Sequence, residues 1–494
     1  MRIPLSRESQ LPLYQQIEAY LRAEILSGAL PADSRLPSTR QLAHDLGVNR
    51  ITVSNAYAEL EAVGLVYSKL GSGTFVAPEV SATAASNHDG SSSTNWPIWQ
   101  KTVLERSRLP TRQVMNQIIL DPVPPQDTIS FWSGVGEEQL FPADDFRKAI
   151  QKVLRQDKHE ALGYGDRAGY LPLRATIAHI LASQGIHTHP ENVLITSGSQ
   201  QAMALIADLT LRPGDTVLLE SPTYSGAIDL FSSLGVHLVG IAVDRQGMRV
   251  ELVEQLLRTH HPSLIHTIPT FQNPTGACMS GERRRQLVAL ADRYNVPILE
   301  DEFVGDLRYE GRAQPALKAL DPGGRVFYMG TFSKMLMPGL RVGYIVVDGP
   351  VYERLVDWKH IHDLATSNLI QRALEAYISV GRYQTHLNRA RRVYRQRRDA
   401  MLAALEQLMP PDTHWTPAQG GFFIWMRLPG GIPAQDLLPL AAREQVNFAP
   451  GCMFYPGEKE HAYIRLNFAM NPPDRIHEGI RRLAGAVQRY RTLQ

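Results

Sequence analysis

The stretch between residues 192 and 330 limits the fold of this 494-residue chain more than any other. "NVLIT", "TVLLE", "SLIHTI", "VPILED" and "RVFYMG" are short apolar runs, and each ends on polar or glycine residues before a helical pattern begins. Runs that are apolar throughout, rather than at every second residue, belong to strands buried on both faces. The pattern therefore predicts an α/β fold: a mainly parallel sheet with helices on either side. Ligands of such sheets gather at the carboxyl ends of the strands, so the residues just after each run are the first place to look for chemistry.

Four of these ends carry suitable groups. In "VLITSGSQQAMALIADLTL" the strand ends at Thr196, Ser197, Gly198 and Ser199 follow, and a helix is predicted from Gln200. Free N–H groups at a helix start, with hydroxyls beside them, form an anion cradle suited to phosphate. "LLESPTYSGA" displays Tyr224 at the same edge, a flat ring able to stack on a heterocycle. "PTFQNPTGA" puts Asn273 in a turn, and "PILEDEFVGDLRY" ends an apolar strand near Asp301. A carboxylate there is costly without a cationic partner, and a protonated pyridine nitrogen is one such partner. In "GTFSKMLMPGLRVGY", Lys334 follows a strand between the hydroxyls of Thr331 and Ser333 and the fork-shaped donor Arg341. Desolvation at a buried strand end lowers a lysine's pKa and makes its amine nucleophilic towards an aldehyde. Taken singly, these features also read as a tight turn, a loop tyrosine and a solvated lysine. Together they supply an amine, an acid, a stacking ring and a phosphate cradle, which is what pyridoxal 5'-phosphate requires.

The first 79 residues have a different grammar. Leu13, Ile17, Leu21 and Ile25 form one stripe of an amphipathic helix that stops near Gly28. Ser38 with Gln41, and then Asn49, mark two further helix starts with Gly47 in the short turn between them. Leu42, Leu46, Val53 and Leu60 are expected to face inward. "LVYSKLGSGTFVA" reads as two strands joined around Gly71 and Gly73. Helix-turn-helix followed by a hairpin is the arrangement that offers the second helix to a DNA major groove, with its N-terminal residues foremost. Bulk charge does not argue for DNA: seven basic residues stand against eight acids in this segment. The case rests on where the arginines sit.

Residues 81–95, "SATAASNHDGSSSTN", read as a flexible linker, and "LDPVPPQD" at 120–127 as a stiffer hinge. The stretch between them is expected to dock on the large domain as an arm. The predicted organisation is a DNA-binding domain over 1–79, a linker over 80–127 and an effector domain over 128–494. The absence of any long apolar run, a start without the apolar stretch of a leader and only two cysteines, Cys278 and Cys452, lead us to expect a cytoplasmic protein without disulfides or a metal centre. The basic run "RARRVYRQRRDAM" is read as a solvated helix face, with a second DNA-facing strip as the other reading.

The N-terminal segment resembles the winged helix-turn-helix of GntR-type bacterial repressors over nearly all of residues 10–78, through "LPSTRQLAHDLGVNRITVSNAYAELEAVGLV" and "GSGTFV". That resemblance implies that Arg40, Arg50, Thr52 and Ser54 approach phosphates or base edges and that Gly71 lets the wing backbone come close. From about 128 to 485 the chain is similar to fold-type I aminotransferases, through "TSGSQQA", "QNPTG" and "FSKMLMPGLRVGY" as a set. By that likeness Lys334 forms the Schiff base, Asp301 partners the pyridine nitrogen, Asn273 bonds the ring hydroxyl and Tyr224 stacks on the ring. Ser199, Gln200, Ser333 and Arg341 hold the phosphate, Tyr164 reaches the phosphate of the neighbouring subunit, and Arg465 in "YIRLNFA" grips an amino-acid carboxylate. One position departs: Phe303 stands where relatives place a tyrosine whose hydroxyl bonds the ring oxygen. The loss of that bond should raise the Schiff-base pKa and puts efficient transamination in doubt.

Across essentially its whole length the chain resembles the MocR family, in which a GntR-type domain is fused to an aminotransferase-like, cofactor-binding domain. The resemblance implies a head-to-tail homodimer that binds a DNA operator and senses pyridoxal phosphate, a small amino acid or an amine such as taurine or 4-aminobutyrate. A catalytically active aminotransferase, and a dimer that keeps the cofactor for structure only, are the competing readings.

Overall fold

The computed structural model describes residues 3–5, 11–62, 64–69, 73–77, 99, 127–457 and 461–493. The chain divides into two units, Met1–Ser107 and Arg108–Gln494. Apart from residues 99 and 127, the predicted linker and arm lie outside the described residues, as does Gly71.

The first unit has three helices, α1 (Leu13–Leu26), α2 (Thr39–Leu46) and α3 (Arg50–Ala62), and a hairpin of β1 (Val66–Lys69) and β2 (Gly73–Val76). Ile17, Leu21 and Ile25 are buried with Leu42, Val53 and Leu60, whereas Leu46 is only half-buried. Ser38 Oγ accepts from the Gln41 N–H at 3.2 Å, but the Gln41 side chain turns to Asp45 (2.8 Å), so half of the expected capping box forms. Asn49 Oδ1 caps the next helix by accepting from the Ile51 N–H at 3.0 Å. Between the two helices Gly47 adopts φ +62°, a conformation that favours glycine.

In the second unit, β3 (Ile129–Ser130) is followed by β4 (Val193–Thr196), β5 (Thr216–Ser221), β6 (His237–Asp244), β7 (Gly247–Met248), β8 (Leu264–Thr267), β9 (Ile298–Glu302), β10 (Val326–Thr331) and β11 (Gly343–Val346). The eight strands from β4 onward form one sheet in the order β4-β11-β10-β9-β8-β5-β6-β7. Pairing is parallel from β10 across to β6, and β11 and β7 run against their neighbours. All five runs singled out above are strands here. Successive residues serve opposite faces: Val193 and Ile195 join one apolar cluster and Leu194 another, as Tyr328 does against Phe327 and Met329. This alternation buries both faces and leaves the strand ends as the place where polar groups converge. A second, antiparallel sheet has the order β12-β13-β16-β15, built from β12 (His414–Trp415), β13 (Phe423–Arg427), β15 (Ala449–Pro450) and β16 (Tyr463–Asn467), while β14 (Val446–Asn447) pairs with β3.

The basic run lies on a 27-residue helix, Arg382–Leu408. Arg389, Arg392 and Arg395 are exposed, as expected of a solvated face. Arg397 and Arg398 are not: they are buried. Arg397 bonds to Ala469 O and Glu137, and Arg398 donates to Ala418 O at 2.8 Å and to Glu310 at 2.6 Å. These two arginines tie the helix to loops distant in sequence, which a helix considered alone cannot reveal. Among the described residues no helix is long and apolar enough to cross a membrane.

Candidate functional site

The site assembles from the carboxyl ends of the strands. After β4 the chain turns at Gly198, with φ +93°. A Cβ there would come within 2.6 Å of Arg341 Nη2, so the position requires glycine for conformation and for space. The next helix begins at Ser199, one residue before the predicted start. Its first N–H groups have no acceptor within the helix. Arg341, itself left-handed at φ +50°, donates from Nη2 to Ser197 O at 3.2 Å. Ser333 is buried and its Oγ has no hydrogen-bond partner among the described residues, while its N–H donates to Thr331 Oγ1 at 3.1 Å. The Gln200 side chain points elsewhere: it donates to Gly226 O (3.3 Å) and accepts from the Tyr224 hydroxyl (3.4 Å), so any contribution to anion binding comes from its N–H.

A cavity of about 250 Å³ opens beside this cradle, and Ser199, Tyr224, Asn273, Asp301, Lys334 and Arg465 line it. Asp301 is only 5% exposed, and its Oδ1 has no partner among the described residues. The nearest base is the fully buried His266, whose Nε2 lies 3.9 Å from Asp301 Oδ2 and whose ring meets Phe231 edge-on at 5.7 Å. Lys334 is pushed down to about 8, first by burial and then by the charges of Arg465 and Arg341, against the opposing pull of Asp301.

Arg465, on β16, is 7% exposed. It donates to Asn273 Oδ1 at 3.0 Å and to Trp132 O at 2.6 Å, and its guanidinium lies 4.2 Å from the Phe423 ring centre and 4.9 Å from that of Phe454. Both acceptors are neutral, and Nε has none among the described residues. Burial pushes Arg465 down to about 9, so it still carries its charge at neutral pH. A buried guanidinium served only by carbonyls and rings is suited to an incoming anion.

The loops are pinned from beneath by a network that sequence reading did not find. Glu220, at the end of β5, accepts from Thr267 Oγ1 (2.7 Å), the Ile268 N–H (3.1 Å) and Gln272 Nε2 (3.1 Å). Gln272 also donates to Pro222 O at 2.7 Å and accepts from Thr275. It thereby joins the turn that carries Tyr224 to the turn that carries Asn273. Gln272→Ala would leave several buried groups unpaired, at about 1–3 kcal/mol each. Urea unfolding of the large unit should report a loss within that range for one group or above it.

Orphaned Ser333 Oγ and Asp301 Oδ1, the cradle at Gly198 and the depressed lysine together fit a phosphorylated pyridine aldehyde. Tyr164 is not part of this cavity and is 87% exposed. Among the described residues no three His, Cys, Asp or Glu side chains group as a metal site would require. In the first unit, Arg40, Arg50 and Ser54 are exposed and Thr52 is half-buried. Arg50 Nε donates to Thr39 Oγ1 at 3.3 Å, which steadies the start of α3. Ile51, at 67% exposure, is an apolar residue that sequence reading overlooked; at that end of a recognition helix it can meet a thymine methyl.

The aminotransferase class I and II family matches residues 133–483, and the gntR family of bacterial regulatory proteins matches residues 13–76. The chain is 33% identical over 484 residues, 98% of either chain, to the uncharacterized HTH-type transcriptional regulator YisV of Bacillus subtilis. It is 34% identical over 491 residues to the probable rhizopine catabolism regulatory protein MocR of Rhizobium meliloti, covering 98% of this chain and 95% of that one. Among solved structures it is similar to LysN, the α-aminoadipate aminotransferase of Thermus thermophilus complexed with N-(5'-phosphopyridoxyl)-L-leucine. That likeness has a TM-score of 0.73 at 33% identity and spans 80% of this chain and 100% of LysN.

Proposed function

We propose, from the premise that this chain belongs to the MocR family of GntR-type regulators with a class I and II aminotransferase domain, that the large unit senses an amine or amino acid at Lys334 and biases DNA binding accordingly. Its winged helix binds DNA and its cofactor is pyridoxal 5'-phosphate. The observation that carries the reading is a single cavity faced by Lys334, Asp301 and Arg465, which has no carboxylate partner among the described residues.

When bound, the cofactor supplies an aldehyde and an electron-withdrawing ring. Lys334 offers a largely deprotonated amine once pH passes about 8. Asp301 holds a proton-bearing pyridine nitrogen, Asn273 bonds the ring hydroxyl and Tyr224 covers a face of the ring. Ser199, Gln200 (through its N–H), Ser333 and Arg341 bind phosphate. In a cytoplasmic homodimer the exposed Tyr164 of one subunit reaches the phosphate held by its neighbour. Arg465 binds the acid group of the effector, which is a small amino acid or an ω-amino acid such as 4-aminobutyrate or taurine. An effector acts only if it interacts differently with two arrangements of the tethered units, and pairing two DNA-binding units raises their effective concentration at adjacent half-sites.

The test is a footprint on the intergenic region upstream of the chain's own gene, with and without cofactor and candidate amines. We expect a protected segment that changes in length or affinity when both are present; a footprint indifferent to both would refute the reading. In the same assay Arg50→Ala should weaken binding and flatten the dependence of log K on log salt by about 1, the signature of one lost phosphate contact. Retention of Lys334, Asp301 and Arg465 favours a second reading, residual transamination. Steady turnover of an amino acid with a 2-oxo acid, without operator binding, would put that reading first. Phe303, which has no hydroxyl for the ring oxygen, argues against efficient turnover.

A further inference from the structure

The turn from β4 into the helix Ser199–Thr210 is tied to a helix distant in sequence, Val351–Asp363. Ser197, at the head of this turn, has each of its polar groups engaged. Its N–H donates to Gln201 Oε1 at 2.7 Å, its Oγ donates to Asp363 Oδ2 at 3.3 Å, and its O accepts from Arg341 at 3.2 Å. Gln201 returns to the same carboxylate, donating from Nε2 to Asp363 Oδ2 at 2.9 Å. One carboxylate oxygen therefore holds both residues that flank Gly198, Ser199 and Gln200, the segment whose N–H groups form the cradle.

A carboxylate is nonetheless a poor neighbour for a phosphate, because like charges repel. Burial pushes the Asp363 carboxyl up, but the bonds from Lys359 and Gln201 outweigh it and hold the carboxyl below its ordinary range, so it is charged at neutral pH. The compensation comes from one turn back on the same helix. Lys359 is fully buried, and its Nζ donates to the other oxygen, Asp363 Oδ1, at 2.8 Å. Among the described residues Asp363 is its one hydrogen-bond partner. Burying an ammonium is expensive, and apolar side chains of similar volume would pack the helix as well or better. Packing alone does not account for the pair. Neither Lys359 nor Asp363 lines the cofactor cavity, so both act on it through the turn.

We propose that Lys359 and Asp363 are positioning residues for the cofactor's phosphate. Asp363 fixes the two ends of the Ser197–Gln201 turn, and Lys359 cancels the charge of that carboxylate so that the cradle stays receptive to a dianion. The proposal rests on the assignment of Ser199, Gln200 and Arg341 to phosphate made above.

Pyridoxal and pyridoxal 5'-phosphate isolate this role, because they share the aldehyde and ring and only the second carries phosphate. The dissociation constant of each is read from the near-violet absorption as it is added back to the full-length chain freed of cofactor. Lys359→Met should weaken the phosphorylated form by ~10-fold or more and leave pyridoxal within about twofold. Adding Asp363→Asn to Lys359→Met should restore ~3-fold or more of the lost affinity, because the uncompensated charge is then gone. A pair that only pinned the helix would lose further with the second substitution and would affect both ligands alike. Ser197→Ala keeps the ion pair and should weaken the phosphorylated form alone by ~3-fold, which decides the matter if the Lys359 variants do not fold. Equal losses for the two ligands, no loss in Lys359→Met or in Ser197→Ala, or no recovery in the double variant would overturn the proposal while the absorption band still reported capture by Lys334. If the unaltered chain bound the two forms equally, the phosphate assignment would fall and this proposal with it.

Discussion

Lys334→Ala is expected to remove the near-violet absorption of the bound cofactor and, with it, every effector-dependent change in the footprint. Basal DNA contact through the winged helix should persist. The expectation follows from how the site treats this amine. An ordinary lysine, near 10.4, is neutral in about one molecule in a thousand at pH 7.5. One held at about 8 is neutral in about a quarter of molecules. The site thus multiplies the nucleophilic fraction by more than ~10² before any orientation is counted. The sign with pH follows directly. Burial and two cationic neighbours disfavour the protonated form, so the rate of cofactor capture by the unloaded chain should climb as pH rises through about 8 and level off above it. Lys334→Arg sharpens the test: it keeps the length and charge but stays protonated, and should be as colourless as the alanine variant. A violet band surviving in either protein would assign the covalent link to another residue.

The parts of this architecture that could be read from sequence were those whose causes are local. A continuously apolar run of four to six residues has few ways to be satisfied other than as a strand covered on both faces. The strands β4, β5, β8, β9 and β10 are of this kind, and the groups at their ends came with them. Their joint presence in one cavity follows from parallel topology, which brings every carboxyl end to the same edge. Non-local causes were missed. β6 has only Ile241 fully buried and is interrupted by Gly240, so a search for uninterrupted apolar runs passes over it. Glu220 and Gln272 matter because the turns carrying Tyr224 and Asn273 meet there with the end of β8, and no single segment displays that meeting. Arg397 and Arg398 read as surface charge on a basic helix; they are buried because Glu137, Ala469, Glu310 and Ala418 converge on them from elsewhere in the chain.

Arg465→Met should separate carboxylate-bearing effectors from plain amines. In the unaltered site the guanidinium is buried, keeps two neutral acceptors and two aromatic faces, and has no counter-ion among the described residues. A carboxylate or sulfonate entering beside it gains a charge-assisted pairing in a medium that screens poorly. Removing one partner of such a buried pair costs about 3–5 kcal/mol, or ~10²–10⁴-fold in affinity. 4-Aminobutyrate and taurine should therefore lose most of their effect on the footprint, whereas a monoamine of similar length should lose little. Stability should move the other way, or not at all. Replacing an uncompensated buried charge by an apolar side chain of similar length is often neutral or stabilising, and here it gives up only bonds to Trp132 O and Asn273 Oδ1. The ligand-free variant is thus expected to melt at or above the temperature of the parent, while the extra stability conferred by an ω-amino acid disappears. A residue kept at the expense of stability and needed only when an acid group arrives is behaving as a binding residue. If Arg465→Met instead lowered the ligand-free melting temperature sharply and left the ranking of effectors intact, the guanidinium would be a structural strut of β16, and effector selection would have to be sought among other residues of that cavity.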